Sequence, residues 1–263
     1  MTRLLTSLLL AILIGGCSFE STPSHLSEKV ATIRTLSNEG LSISLQFMGK
    51  INTLEGANHW DETQIKPYLA ATHQWLAVLK GIEGKQHHYI DIAIYVEPLE
   101  NANGMAGPDE DEKVGTYYFP KSGEIVIGSH TYASDFDQKE FFANIVHEMG
   151  HVFGIGSYSA DYTYYDAHQG GNVFSVNNSE SVKRYNQLYK MALTELPISD
   201  DGGHLYDYQW QGDKKRTIDD SIVIPPMTQE VMSNGYILGV ITVALLDDIG
   251  YIVDYSQAMP YLP

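Results

Sequence analysis

Hydrophobic and polar positions along the chain fall into segments with two different periods. Ile43, Leu45 and Phe47 alternate with polar neighbours, the period of a half-buried strand. Over residues 62–79 the apolar positions Ile65, Leu69, Ala70, Trp75, Leu76 and Leu79 recur at helical spacing, and Gly81 marks the end of that helix. Residues 89–96 and the run Gly-Glu-Ile-Val-Ile-Gly at 123–128 predict two more strands. Between them, residues 101–113 hold Gly104, Gly107, Pro108 and the acidic run Asp109, Glu110, Asp111, Glu112, and read as a solvated loop. Residues 135–154 carry the strongest helical pattern. Asp135 or Asp137 caps it, Phe142, Ile145, Met149 and Phe153 form its apolar stripe, and Gly154 and Gly156 stop it. Residues 157–177, rich in Tyr, Ser, Gly and Asn, predict an irregular loop. Residues 179–193 predict a helix capped by Asn178 or Ser179, residues 196–235 are loop-like, and residues 237–249 predict an apolar helix closed by Gly250. There is no internal repeat. Strands and helices first, then loops and helices, predict an α+β domain over 41–263 with an N-terminal lobe (41–156) and a C-terminal lobe (157–263).

The first residues follow a different rule. Arg3 precedes the apolar run Leu4 to Ile14, which is too short for a spanning helix and has the form of a signal peptide over 1–16. The segment Ile14-Gly15-Gly16-Cys17 resembles the lipobox of bacterial lipoproteins. That resemblance implies cleavage before Cys17, lipidation of its thiol, and an exported chain anchored to a bacterial membrane, at the outer membrane or cell surface. Residues 17–40, rich in Ser and Thr, then read as a tether between lipid and domain.

Composition narrows the chemistry. Among 263 residues, 43% are hydrophobic and 19% charged, so the chain folds. A formal net charge of -17 argues against a nucleic-acid partner, which would require basic patches. Cys17 is the single cysteine, which removes disulfide frameworks and cysteine-based metal clusters and leaves histidines and carboxylates as candidate ligands. An acidic run such as 109–112 can bind calcium, and nothing else in the pattern supports that assignment.

Within the helix at 135–154 stands His147-Glu148-Met149-Gly150-His151. Four residues at about 100° each bring the second imidazole back to within roughly 40° of the first, about 6 Å along the axis. Two His nitrogens so placed can reach one ion, and Glu148 beside them can take a proton from a water. This is the HExxH arrangement of zinc-assisted hydrolysis. A catalytic zinc needs a third protein ligand and one open position. In metzincins the helix stops at a glycine three residues after the second His, as Gly154 does, but the usual third-ligand position is Ser157, a poor ligand. Glu180 on the next predicted helix, His168 and His204 all stay open.

His204 follows Gly202-Gly203. Further on come Glu230-Val231-Met232-Ser233-Asn234-Gly235 and a helix ending Asp248-Ile249-Gly250-Tyr251. At these residues the chain resembles the leishmanolysin-like metzincins, in which a long insertion separates the helix from the third His and a Met-turn passes beneath the zinc. The resemblance covers roughly residues 41–256. It implies a zinc endopeptidase with His147, His151 and His204 as metal ligands, Glu148 as general base, Met232 in the Met-turn, and the 123–128 strand pairing with an extended protein or peptide substrate. Gly235 and Tyr236 would shape the pocket for the residue after the cut. The family's many disulfides and inhibitory propeptide cysteine have no counterpart here, and a lipidated Cys17 cannot block a zinc site. Two other classes stay open. One is a surface lipoprotein that binds a partner or glycan through the Tyr-rich loop (Tyr158, Tyr162, Tyr164, Tyr165) with a decayed zinc site; the other is a hydrolase of a non-peptide bond. The intact Glu148 argues against decay, because a structural site needs no general base.

Overall fold

The computed structural model describes residues 30–49, 51–53, 56–209, 213–218 and 221–262. The expected signal peptide, Cys17 and the tether as far as residue 29 lie outside the described residues. No described helix is long and apolar enough to cross a membrane.

The N-terminal half builds β1 (Val30–Ser37), β2 (Leu41–Met48), the small hairpin β3 (Ile51–Thr53) and β4 (Gly56–Asn58), and α1 (Glu62–Val78). It continues with β5 (Leu79–Ile82), β6 (His88–Glu97), β7 (Gly104–Val114), β8 (Tyr117–Gly128) and α2 (Gln138–Val152). The C-terminal half holds β9 (Thr163–Asp166), β10 (Gly171–Phe174), α3 (Glu180–Tyr189), β11 (Leu196–Pro197), β12 (Thr217–Ile218), β13 (Ile222–Val223), α4 (Val240–Asp248) and β14 (Tyr251–Val253). The fold is therefore mixed α+β, with a main sheet in the order β1-β2-β6-β8-β7. Its inner strands β2, β6 and β8 run parallel, and the edges β1 and β7 pair antiparallel.

Sequence physics explains the placement. Leu41, Ile43, Leu45 and Phe47 of β2 and Ile90, Ile92 and Ile94 of β6 are buried. Helix α1 starts at Asp61, whose side chain accepts from Thr63 N and Gln64 N while Gln64 reaches back, a reciprocal cap. Trp75 of α1 packs its ring 5.1 Å from that of Phe153 and donates its indole N–H to Val146 O at 3.0 Å, so α1 and α2 are locked together. The two halves share one core: Tyr251 of β14 pairs with Ile82 of β5 and packs edge-on to Phe119.

Several expectations are corrected. Residues 30–37 form β1 and are no tether; this edge strand is half exposed, so its apolar density is low while its β-branched residues and the ladder to β2 hold it extended. The acidic stretch 104–114 is strand β7, not a loop. A sheet edge tolerates charge and proline, and the ladder to β8 is bulged where Pro108, Glu110 and Asp111 fall. The strand at 123–128 is the second half of β8, and it lies inside the sheet, so it has no free edge for a substrate; β7 has. Residues 163–174 form the hairpin β9–β10 within the expected loop. The apolar stripe of α2 runs through Phe141, not the half-buried Phe142. Helix α3 ends at Tyr189 because Lys190 turns left-handed (φ 57°).

Ser179 caps α3 as expected, and Asp248 reinforces that cap from α4. The Asp248 carboxylate accepts from Ser179 Oγ (2.7 Å), Glu180 N (2.7 Å), Ser181 N (3.1 Å) and Ser181 Oγ (2.6 Å). Replacing it strips donors at a helix N-terminus and loosens the α3–α4 pair. Asp248→Ala is expected to lower unfolding free energy by about 2–3 kcal/mol, read as a shifted urea midpoint with an unchanged m-value.

Candidate metal centre

Asp137 starts α2, accepting from Lys139 N (2.7 Å) and Glu140 N (3.1 Å). With Phe141, Ile145, Met149 and Val152 buried in the core, the helix turns His147, Glu148 and His151 into an open cleft of about 1200 Å³ between β7 and the C-terminal half. After Val152 the backbone reverses through Gly154 (φ +111°) and Gly156 (φ +85°), conformations that favour glycine. Gly156 also lets the next ligand loop in: a Cβ there would stand 3.0 Å from Gly203 O.

That loop brings His204 to the helix. The three Nε2 atoms form a near-equilateral triangle: His147 to His151 3.0 Å, His151 to His204 3.2 Å, His204 to His147 3.2 Å. Each ring is fixed by its other nitrogen. His147 Nδ1 faces Val231 O at 2.6 Å, His151 Nδ1 faces Ile155 O at 2.8 Å, and His204 Nδ1 faces Asp201 Oδ2 at 2.6 Å. Carbonyl and carboxylate oxygens only accept, so each Nδ1 donates and the three Nε2 atoms are left facing one another. Burial first, then the neighbouring histidines, pushes the His147 pKa well below its ordinary value; burial and His204 bring His151 down to about 4. At neutral pH these two rings offer lone pairs that no proton separates.

Such an arrangement repels itself unless a cation lies among the nitrogens. Ligands at 2.0–2.1 Å around a tetrahedral ion stand about 3.3 Å apart, close to the spacing found here. The three histidines therefore fit one metal ion. His168 and Glu180 are not brought to it. His168 is exposed on the turn between β9 and β10, and Glu180 lies in the first turn of α3, paired with Lys183 at 2.7 Å.

Met232 is fully buried beneath this centre. A Cβ on Gly150, between the two helix histidines, would meet its Sδ at 2.3 Å, so the thioether packs where that glycine leaves room. The same turn supplies two backbone anchors: Val231 O holds His147, and Met232 O accepts Leu205 N at 2.8 Å, next to His204. Glu148 is 4% exposed and lines the cleft; burial pushes its carboxyl up to about 8, and a cation among the histidines would bring it back down. Gly104 of β7 makes the room for it, since a Cβ there would stand 2.6 Å from Glu148 Oε1. Gly235 and Tyr236 line the cleft, while Tyr158, Tyr162, Tyr164 and Tyr165 do not.

Sequence reasoning missed the support of His204. Asp201 accepts from Ser199 Oγ and from Gly203 N (2.8 Å) besides the imidazole. Burial works against its charge, and these donors outweigh that and hold its carboxyl well below the usual range. Arg216, also missed, is buried under the loop. Its guanidinium donates to Asp200 Oδ1 (2.6 Å) and Asn172 O (3.0 Å) and lies 4.4 Å from the Tyr206 ring centre. The one available signal was local: an Asp three residues before a histidine, with Gly-Gly between.

Comparison with protein-family models and with curated proteins finds no match for this chain.

Titration with a divalent transition-metal ion is expected to show one site per chain, lost in His151→Ala and His204→Ala. Asp201→Asn, which keeps the ligand and weakens its orienting partner, is expected to cost about 10- to 100-fold in affinity.

Proposed function

We propose that this chain is a zinc-dependent endopeptidase of the leishmanolysin-like metzincin kind, exported and held to a membrane through Cys17, cutting proteins outside the cytoplasm. The observation that carries the reading is the triangle of three oriented Nε2 atoms with Glu148 beside it, in an open cleft flanked by a free sheet edge. Three imidazoles and no thiolate suit zinc at a catalytic site, where a fourth position stays open.

When bound, zinc supplies Lewis acidity, which polarises a carbonyl and acidifies water. The protein's own residues do the rest. His147, His151 and His204 hold the ion, each ring pinned by its Nδ1 bond. Glu148 takes a proton from the attacking water at its carboxylate and returns it to the leaving amine, a general base and then a general acid. Its burial beside Gly104 holds it in the lining of the same cleft as the histidines. Strand β7 lines the cleft from Gly104 to Pro108 and is the sheet edge, so an extended polypeptide can add to it through backbone hydrogen bonds. Met232, fully buried, floors the site. The leishmanolysin-like assignment rests on the order of HExxHxxG, a distant His204 and a Met-turn at Met232, together with the α+β architecture. Binding of a partner or glycan through the tyrosine-rich segment has less support, since exposed Tyr164 and Tyr165 stand on β9 outside the cleft lining.

The zinc-loaded protein is expected to cleave casein or gelatin and to lose cleavage with a chelator. Glu148→Gln is expected to retain one zinc per chain while slowing cleavage by about 10²- to 10⁴-fold. Zinc-loaded wild type that cuts no protein would remove the peptidase reading.

A further inference from the structure

The histidine triangle depends on where residues 229–237 stand. Val231 O holds His147 Nδ1, and Met232 O accepts from Leu205 N, the residue after His204. The turn closes on itself around Glu230. Ser233 N and Gly235 N both donate to Glu230 O at 3.0 Å, and Val231 N donates to Ile237 O at 2.7 Å. Its front, from Val231 to Tyr236, faces the cleft.

Its back is held by the Glu230 side chain, which is 0% exposed. The carboxylate accepts from Ile241 N (3.0 Å), Thr242 N (3.1 Å), Thr242 Oγ1 (2.6 Å) and Tyr261 OH (2.7 Å). Three of these donors belong to the first turn of α4, whose N-cap is Gly239 and has no side chain to offer. Glu230 therefore does the capping, from nine residues upstream. Burial raises its pKa against the pull of these donors, so losing any one of them leaves a buried carboxyl short of a partner.

The fourth donor comes from elsewhere in the chain. After β14, residues 254–262 run from the end of α1 to the back of the turn. Asp254 N donates to Val78 O at 2.7 Å, Gln74 Nε2 lies 3.1 Å from Met259 Sδ, Met259 N donates to Leu238 O at 3.0 Å, and Gln229 Nε2 donates to Leu262 O at 2.5 Å. Gly239 admits the tyrosine: a Cβ there would stand 2.4 Å from Glu230 Oε1 and 2.6 Å from Tyr261 Cε1. The Tyr261 hydroxyl also meets that of Tyr189 on α3. One phenol thus joins α3, the 254–262 segment and the carboxylate that anchors the turn.

We infer that Tyr261 is a positioning residue of the metal centre: by donating to Glu230 it fixes the turn whose carbonyls at Val231 and Met232 set His147 and the chain beside His204. The segment 254–262 is then a strap behind the histidines. This rests on the three histidines holding zinc, and it is indifferent to which bond the centre cuts.

The test compares the full chain with Tyr261→Phe, Glu230→Gln, the pair combined, and Asp248→Ala, which loosens the far end of α4 without touching the turn. Zinc affinity is measured by competition with a chelator, and the visible spectrum is recorded at saturating cobalt. Tyr261→Phe is expected to weaken zinc about 10-fold and to change the cobalt spectrum. The pair is expected to lose no more than about twofold beyond Glu230→Gln alone, because both act through one contact. Asp248→Ala is expected to keep wild-type affinity within about twofold and an unchanged spectrum. Where Glu230→Gln does not fold, Tyr261→Phe against Asp248→Ala decides by itself. Wild-type affinity and spectrum in Tyr261→Phe overturn the inference and leave the zinc reading standing. An equal loss in Asp248→Ala, or fully additive losses in the pair, also overturns it. A wild type that binds no zinc removes the metal reading and the inference with it. Zinc binding that depends on Tyr261 in a wild type that cuts no protein keeps the inference and removes only the peptidase reading.

Discussion

Three imidazole nitrogens meet at 3.0–3.2 Å, and the surrounding structure is arranged to hold them there. Left alone, rings so placed would turn away. They are prevented by three short bonds on their far sides, to Val231 O, Ile155 O and Asp201. Each of those acceptors comes from a different segment. Ile155 belongs to the glycine-rich reversal after α2, Asp201 to the loop over Arg216, and Val231 to the turn beneath the helix. A metal ion among the three nitrogens would convert this convergence into a stabilising contact.

The same constraint explains small residues that otherwise look incidental. Gly150 lets Met232 reach under the histidines, Gly156 lets the 199–204 loop close against the helix end, and Gly104 lets Glu148 lie against an edge strand. The shared core does the larger positioning. Trp75 joins α1 to α2, and the β5–β14 pair draws the chain's end back across the first half, so the histidine on the loop and the two on the helix belong to one packed body.

What could be read in the sequence follows the range of the interactions. His147, Glu148 and His151 share one helix, and helical geometry alone places both rings on one side. His204 is 53 residues from His151, and only resemblance to a family pattern separated it from His168 and Glu180. The strands β2, β6 and β8 were legible because they bury apolar residues. Edge strands β1 and β7 were not: their extended form comes from the neighbouring ladder, and β7 carries charges and a proline that locally signal a loop. That difference bears directly on the cleft, since β7 and not the interior strand β8 is the sheet edge that lines it. Asp201 and Arg216 act through tertiary contacts that leave almost no local trace.

Extended X-ray absorption fine structure at the zinc edge, on protein loaded with one equivalent of zinc, interrogates the centre itself. The account predicts three imidazole nitrogens at about 2.0–2.1 Å plus one light-atom neighbour, with one imidazole lost in His204→Ala. A spectrum without three imidazoles, or one unchanged by His204→Ala, would contradict it.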